Sequence, residues 1–418
     1  MEESGSITRQ RVRFLFAVFW SVRTATGSNT RALRYLARLL TQKSGQAAAQ
    51  TAAYLAAPRR AAALQALSAK LASGNPSIAV RVTGGIGDYV VIARFLRDLL
   101  ATAPEAQVDV YCSHPASAAW VFGRLPGLRS CVHDILFDHN LQHYDIAFRI
   151  SQFVVVHQEM VNWGALLEHP SLVAAIDNII RFRPNIEVFV KRHPRMDNFL
   201  ALKAGFSNRT RRDFLHAMAG IDYSSDRLSL SIDRGALGDA GLAGRDYVTI
   251  HNGFDENFII SGDSATKCYP HFGSVVSVLR AHFPHLIFVQ IGASTSKPIP
   301  GVQINLVGRT TLQQSAGLIA QARLHIDNEG GLVHVAAALG VQSCVVFGPT
   351  PSAYFAYPDN VTIDPNFCGG CWWITDTWMD VCARGFRQPR CMSELPAEDI
   401  AMRLVTHLKR APAAIAAE

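Results

Sequence analysis

Two turns with paired glycines carry the residues of this chain best suited to chemistry. The first turn, Gly84–Asp88, follows the apolar run Ile78–Val82, and the second, Asp327–His334, follows Leu324–Ile326. Glycines between a strand and a helix let backbone N–H groups approach a phosphate or a sugar closely, and a helix N-terminus favours negative charge. Two such turns in two halves of the chain predict a cleft between two α/β domains.

The four cysteines Cys368, Cys371, Cys382 and Cys391 form a second candidate site. A C-x-x-C pair followed by two further thiols suits a closed tetrahedral site for zinc or iron, which would stabilise a segment too short to have its own core. A redox pair or unrelated buried cysteines are the alternatives. The other four cysteines are scattered, mostly in apolar surroundings, which favours a reducing compartment over a disulfide framework.

The elements that must position these residues alternate between short apolar runs and helical periodicity, as in doubly wound parallel sheets. Strands are predicted at Ile78–Thr83 and Tyr247–His251, and a helix at Tyr89–Ala101. Between them, Asn185–Val190 reads as a strand or hairpin, and Arg234–Arg245 reads as a linker. Beyond the linker, strands and helices alternate regularly as far as Ser343–Phe347, and the chain closes with an amphipathic helix.

This pattern predicts four regions, namely a basic helical extension (1–75), an N-terminal Rossmann-like domain (76–238), a C-terminal Rossmann-like domain containing the cysteine segment (239–395), and a closing helix with tail (396–418). The loop from Asn252 to Ser264 is expected to be a mobile cover, and residues 44–72 an alanine-rich helical pair.

Positive charge is concentrated in the extension. Residues 1–75 hold eleven basic side chains and two acidic ones, whereas the whole chain has a formal net charge of +7, so the body is slightly acidic and is not expected to bind nucleic acid. The apolar run within 9–40 is too short to span a bilayer. It predicts peripheral contact with anionic lipid, with a helical arm packed on its own body or a second subunit, or a signal peptide, as alternatives.

Four motifs in order give the chain its family resemblance, and they are Gly85–Asp88, Thr266–Pro270, Glu329–Gly340 and Phe347–Thr350. In this order and spacing the chain resembles glycosyltransferase family 9, the ADP-heptose-dependent heptosyltransferases. The resemblance implies a GT-B fold, in which two Rossmann-like domains face a central cleft. It also implies an inverting reaction with one general base and positive charge at the departing diphosphate.

The resemblance implies a role for each motif residue. Asp88 stands at the position of the catalytic base, with helix capping as the alternative. Lys267 would stabilise the diphosphate, unless it is a solvated loop lysine. The acceptor-side loop would include Gly85 and Gly87. On the donor side, Glu329 would bind the ribose, with Asp327 as its alternative, and Gly330 and Gly331 would lie at the diphosphate. His334 would contact the nucleotide or, alternatively, only make hydrogen bonds within its own helix. Thr350 would lie near phosphate.

The function expected from this resemblance is transfer of a heptose-type sugar from ADP-heptose to a lipopolysaccharide-type, lipid-linked glycan. A protein O-heptosyltransferase acting on secreted adhesins is the near alternative. A nucleotide-sugar epimerase and a non-catalytic binding module are the distant ones. A dinucleotide-dependent oxidoreductase is disfavoured, because the first turn lacks the third glycine of that fingerprint. We expect a cytoplasmic protein, possible homo-oligomers, peripheral contact with the inner membrane, and no metal requirement for catalysis.

Overall fold

A computed structural model describes residues 75–254 and 265–410, together with parts of 12–45. The predicted helical pair at 44–72 and the Asp255–Ser264 part of the predicted cover loop lie almost entirely outside the described residues. Within the described chain two sheets are present, each with helices packed on it, and the predicted α/β class is confirmed.

The first sheet has the order β3-β2-β1-β4-β5 and is parallel except for the β4–β5 pair. Its strands are β1 (Ser77–Val82), β2 (Gln107–Cys112), β3 (Leu128–His133), β4 (Ile146–Ile150) and β5 (Val154–Val156). Strands β1, β2 and β4 are buried along most of their length on both faces, which is typical of parallel sheets covered by helices, whereas the edge strand β3 is half-buried.

The second sheet is fully parallel and has the order β11-β10-β9-β6-β7-β8. Its strands are β6 (Tyr247–Ile250), β7 (Ile287–Gln290), β8 (Ile304–Asn305), β9 (His325–Asn328), β10 (Ser343–Val346) and β11 (Val361–Ile363). The carboxyl ends of β6, β9 and β10 therefore lie side by side, where parallel sheets bind ligands.

The helices from residue 86 onward are α1 (Ile86–Leu100), α2 (Pro115–Phe122), α3 (Phe137–Asn140), α4 (Trp163–Leu166), α5 (Pro170–Phe182), α6 (Glu187–Arg192), α7 (Asp197–Phe206), α8 (Phe214–Ala219), α9 (Gly235–Asp239), α10 (Phe272–His282), α11 (Leu312–Ala320), α12 (Gly331–Leu339), α13 (Ser352–Phe355), α14 (Arg390–Ser393) and α15 (Ala397–Arg410). The predicted domain boundary at 238/239 falls inside α9.

Two local predictions are wrong. Asn185–Val190 is not a strand, because its residues form a 3₁₀ turn that continues into α6. The β-branched residues there favoured a strand, but packing on the neighbouring helices decides the conformation. Helix α1 begins at Ile86 rather than Tyr89, with Gly85 as its N-cap, so Asp88 lies within the first helical turn.

The described part of the N-terminal extension packs on the body of the protein. Residues 29–41 are helical, and Val18, Val22 and Tyr35 form a small apolar cluster with Val381 of the cysteine segment. The opposite side of the arm exposes Phe16 and Trp20. This supports the arm-on-body alternative, and no helix among the described residues is long and apolar enough to cross a membrane.

Candidate functional site

Asp88 occupies the first turn of α1, where its two carboxylate oxygens have different partners. Oδ2 accepts a hydrogen bond from the Gly85 backbone N–H at 3.1 Å, so the capping role is real. Oδ1 accepts from Arg211 Nη2 at 3.0 Å and from Gln152 Nε2 at 3.2 Å. The side chain of Asp88 is 29% exposed, whereas that of Arg211 is 1% exposed. An incoming polar group can therefore reach the Asp88 carboxylate, whose orientation is fixed by the hydrogen bonds from Arg211 and Gln152.

Lys267 and Glu329 form a buried ion pair at the end of the second sheet. Lys267 Nζ lies 3.1 Å from Glu329 Oε2, and each side chain is about a tenth exposed. The neighbouring Thr266 donates through Oγ1 to the Trp378 carbonyl and through its N–H to the Met379 carbonyl. Lys267 is thus not a solvated loop lysine. Because Glu329 has one methylene more than Asp, its carboxylate extends further from the turn that carries it.

His334 is enclosed beside this pair. Its Nδ1 lies 2.7 Å from the Tyr357 hydroxyl, and its Nε2 lies 3.9 Å from Glu329 Oε1. Burial, together with the positive charges of Arg94, Arg211 and Lys267, lowers the pKa of His334 to about 3. The imidazole is consequently neutral at physiological pH and cannot supply positive charge to a phosphate.

The two glycine turns lie against each other. A Cβ placed on Gly87 would lie 2.6 Å from His334 Cδ2 and 3.3 Å from Gly331 Cα, and one placed on Gly331 would lie 2.1 Å from Ile86 Cγ2. These glycines therefore allow α1 and α12 to approach closely. By contrast, a Cβ on Gly85 would meet nothing within 4 Å. The contact brings the predicted acceptor-side and donor-side residues to one interface between the two sheets.

Asp327 is placed away from this interface. Its carboxylate is fully buried, 2.9 Å from His251 Nδ1 and 3.4 Å from His325 Nε2. Burial alone would raise the pKa of Asp327, but the adjacent histidines lower it below its usual range. The geometry favours Glu329 over Asp327 as the carboxylate available to a ligand, with Asp327 supporting His251 at the end of β6.

Thr350 lies in the loop after β10, which the cysteine segment covers. Thr350 Oγ1 is buried and has no hydrogen-bond partner among the described residues. The Gly370 N–H donates to the Gly348 carbonyl, and the Trp372 N–H donates to the Pro349 carbonyl. The same cysteine segment therefore supports both this loop and, through Trp378 and Met379, the loop that carries Lys267.

The four cysteines of that segment are neighbours but do not form a ready metal site. Burial and the nearby Cys382 and Cys368 raise the pKa of Cys371 to about 11, and burial with the other three thiols raises that of Cys391 to about 12. Across the described ranges, no three His, Cys, Asp or Glu side chains are arranged to hold a metal ion. The predicted metal knuckle is therefore not shown.

Sequence reasoning missed Arg211, Gln152, Arg94 and Tyr357. All four reach the site from outside the recognised motifs, and Arg211 lies between α7 and α8, in a region where periodicity gave little order. Their contacts with Asp88, His334 and each other span 23 to 263 positions in the chain. No local pattern marks such residues, since only the tertiary fold brings them to Asp88 and His334.

Comparison with known proteins supports the resemblance seen in the motifs. Residues 262–364 match the family model of glycosyltransferase family 9 (heptosyltransferase). A stretch of 53 residues is 45% identical to lipooligosaccharide heptosyltransferase 2 of Haemophilus ducreyi, and it covers 12% of this chain and only 15% of that relative.

Solved structures resemble the whole body of the chain. The iron-containing dodecameric glycosyltransferase TibC of enterotoxigenic E. coli H10407 has a TM-score of 0.50 at 14% identity, over 80% of this chain and 76% of that one. The E. coli ADP-heptose lps heptosyltransferase II has a TM-score of 0.48 at 17% identity, over 80% and 99%. At these identities, the likeness to TibC shows a shared fold.

Proposed function

We propose that this chain is an inverting glycosyltransferase that moves a heptose-type sugar from a nucleotide donor, ADP-heptose, to a hydroxyl group of a glycan acceptor. One observation carries the proposal. The contact between Gly87 and the Gly331–His334 turn brings Asp88 to the same interface as the Lys267–Glu329 pair, within a chain whose residues 262–364 match a heptosyltransferase family model.

In the proposed reaction Asp88 is the general base. It removes the proton of the acceptor hydroxyl as the new C–O bond forms to the anomeric carbon and the bond to the nucleoside diphosphate breaks. Arg211 and Gln152 hold the carboxylate in place during this step. Inversion needs no covalent intermediate, so one carboxylate acting as a base is sufficient for it.

On the donor side, Lys267 stabilises the departing diphosphate and Glu329 binds hydroxyl groups of the nucleotide sugar. A buried lysine is more effective against a developing negative charge than one in water, because the local dielectric constant is lower. The N–H groups of Gly330 and Gly331 and the N-terminus of α12 add positive potential there. Thr350, whose hydroxyl is buried without a described partner, completes the phosphate side.

The acceptor is proposed to be a lipopolysaccharide-type glycan, with a hydroxyl of a secreted adhesin as the alternative. The basic extension favours the first, because its exposed Phe16 and Trp20 lie four residues apart, as on one helix face, in a segment rich in arginine. Such a surface suits anionic lipid on the cytoplasmic leaflet of the inner membrane. Sedimentation with anionic vesicles, compared with neutral ones, tests this, and a Phe16→Ser/Trp20→Ser variant should stay in the supernatant.

A structural zinc or iron ion on the four cysteines is also proposed. The support is chemical, since four neighbouring thiols with a C-x-x-C pair suit either metal, and the fold is shared with an iron-containing glycosyltransferase. The ion would stabilise the segment that holds Thr266 and the Gly348–Thr350 loop, and no chemical step depends on it. Elemental analysis should find about one ion per chain and less in Cys371→Ser, with Cys131→Ser as the control. Well under one ion in the wild type would disprove the site.

The decisive experiment measures nucleotide release from a panel of ADP- and UDP-sugars, with and without candidate acceptors. We expect acceptor-dependent ADP release from ADP-heptose. A truncated lipopolysaccharide and an unmodified adhesin passenger, offered separately, distinguish the two acceptors. Release from UDP-sugars alone would reject the heptose donor, and reversible interconversion of a nucleotide sugar without acceptor would indicate the epimerase instead.

A further inference from the structure

A buried chain of polar side chains links helix α1 to the Glu329 turn. Arg94, whose side chain is fully buried, donates through Nη1 to the Tyr357 hydroxyl at 2.6 Å. The same hydroxyl lies 2.7 Å from His334 Nδ1. Arg94 Nη2 also donates to the His334 carbonyl oxygen at 3.4 Å. The guanidinium therefore contacts the His334 backbone directly and its ring through Tyr357. This series of hydrogen-bonded side chains crosses the interface between the two sheets.

The donors and acceptors along this chain determine the position of the histidine proton. A guanidinium only donates, so the Tyr357 oxygen accepts from Arg94 and its own hydrogen is left to donate to His334 Nδ1. Nδ1 must then carry no hydrogen, and a neutral imidazole has its single hydrogen on Nε2. In the opposite tautomer, the Tyr357 hydrogen would have no acceptor among the described residues.

The remaining nitrogen of His334 faces the donor side. Nε2 lies 3.9 Å from Glu329 Oε1, which is too long for a hydrogen bond, while Glu329 Oε2 is taken by Lys267. The Nε2–H is thus a donor without a hydrogen-bond partner among the described residues, and it lies beside the ion pair at the proposed diphosphate position. The lowered pKa of His334 is consistent with a ring that stays neutral throughout.

We infer that Arg94 and Tyr357 are positioning residues, which lock His334 in the Nε2–H tautomer so that it donates to an oxygen of a bound nucleoside-diphosphate sugar. The inference rests on the proposed function for the identity of that ligand. Its structural part, the locked tautomer, does not depend on it. Because Arg94 is on the same helix as Asp88, one element positions both the proposed base and a donor-side hydrogen bond.

The tautomer can be measured directly in the ligand-free protein. Long-range ¹H–¹⁵N correlation spectra of histidine-labelled protein, with the His334 signal assigned by its loss in His334→Gln, report which ring nitrogen carries the hydrogen. We expect only the Nε2–H form in the wild type and a mixture of tautomers in Tyr357→Phe. An Nδ1–H or doubly protonated ring in the wild type would overturn the inference, as would an unchanged tautomer in Tyr357→Phe.

Kinetics separate positioning from simple stabilisation. Tyr357→Phe should lower kcat/KM for the nucleotide sugar about tenfold, the factor that corresponds to one ordinary hydrogen bond, and leave the KM for the acceptor unchanged. Tyr247→Phe is the matched control, since its buried hydroxyl also donates one hydrogen bond, to the Leu318 carbonyl at 2.6 Å. Both variants should lose a few degrees of Tm, and only the first should lose rate. Equal losses of rate in both variants would leave Tyr357 with a structural role alone.

Two substitutions of His334 test which nitrogen matters. The amide nitrogen of glutamine reaches approximately the position of Nε2, whereas that of asparagine reaches approximately Nδ1. His334→Gln should therefore retain more ADP affinity, measured by calorimetry, than His334→Asn, and the reverse order would contradict the assignment. If the wild type binds no ADP and transfers no sugar, the proposed function fails, while the spectra still decide the tautomer.

Discussion

The two glycine turns share one local plan but differ in how they present their carboxylates. Each turn follows a parallel strand and begins a helix. Each also carries an acidic residue: Asp88 lies four positions after Gly84, and Glu329 directly precedes Gly330. Asp88 is 29% exposed and is held by an arginine and a glutamine from distant segments. Glu329 is 10% exposed and is neutralised by Lys267.

The difference in exposure and in partners indicates that the two carboxylates have different roles. An exposed carboxylate can meet the hydroxyl of a second molecule, as a general base must. A buried ion pair is costly to form without good geometry, and it serves better to hold charge at a fixed place. Similar turns therefore meet opposite requirements, accessibility at Asp88 and fixed polarity at the Lys267–Glu329 pair. Four predictions test this contrast.

The largest effect is expected at the exposed carboxylate. Asp88→Asn keeps an oxygen that can accept from the Gly85 N–H, so the fold should be retained, but the proposed base is lost. We expect the transfer rate to fall by roughly 10²–10⁴-fold, as is typical for general bases, and Tm to fall as well, because the buried Arg211 loses its charged partner. Steady-state kinetics and thermal unfolding measure both quantities. Asp138→Asn, an exposed carboxylate elsewhere in the same domain, is the control, and near-normal turnover of Asp88→Asn would remove Asp88 from the mechanism.

The second prediction concerns the buried pair. Lys267→Met leaves Glu329 buried without its partner, and breaking such a pair costs about 3–5 kcal/mol of unfolding free energy. Adding Glu329→Gln should recover much of that stability, because no charge is then left uncompensated, but should not recover sugar transfer. Denaturant unfolding of the two variants measures the stability. Recovered activity in the double variant would show that Lys267 acts only through Glu329.

The motifs identified the turns, but they did not predict how the turns meet. The alternation of strands and helices in the second domain is predictable from the sequence, because most of its strands are short, largely apolar runs. The contact of Gly87 with Gly331 was not readable, since sequence alone gives no information on the distance between two helices. The motifs predict Gly87 in the acceptor-side loop and Gly331 at the diphosphate, and in the structure the two glycines allow their helices to approach each other closely.

The supporting residues were harder still to predict. Arg211 lies in a region of short helices with weak periodicity, and Tyr357 lies in a loop after α13. Each acts through hydrogen bonds to residues of other segments. The buried partner of a catalytic group leaves no periodic trace, so the carboxylate at 88 could be predicted from the motif while the arginine that holds it could not.

The third prediction uses the glycines of the two turns as matched pairs. Gly87→Ala and Gly331→Ala place a methyl group in contact with His334 and Ile86, and should cost about 1–3 kcal/mol each as overpacked positions. Gly85→Ala and Gly330→Ala face open space or ordinary contacts in backbone conformations that any residue adopts, and should cost less, about 0.5–1 kcal/mol each, because alanine is a poorer N-cap residue than glycine. Chemical denaturation measures all four.

A rescue variant separates packing from ligand binding. Ile86→Ala removes the Cγ2 atom that an added methyl group at position 331 would meet at 2.1 Å. Gly331→Ala with Ile86→Ala should therefore cost less than the sum of the two single substitutions. Equal costs for all four glycines would contradict close packing of α1 on α12, and with it the contact that joins the two turns.

The smallest effect, per unit of pH, is expected from His334. The pKa of His334 is about 3 in the folded protein, whereas in an unfolded chain it is near 6.5. Between these values the unfolded state binds more protons, so unfolding free energy falls as the pH falls, by at most about 1.4 kcal/mol per pH unit for one group. The half-buried His157 and His407 have lowered pKa values as well and give slopes of the same sign. The difference in unfolding free energy between the wild type and His334→Gln cancels the contributions of these two histidines, because both proteins contain them.

Unfolding free energies of the wild type and His334→Gln, measured from about pH 6.5 to about pH 4.5, should therefore converge as the pH falls, because the wild type loses stability faster. Parallel curves would mean that His334 is solvated or charged in the folded protein, and the donor-side turn would then be no more enclosed than the turn that carries Asp88.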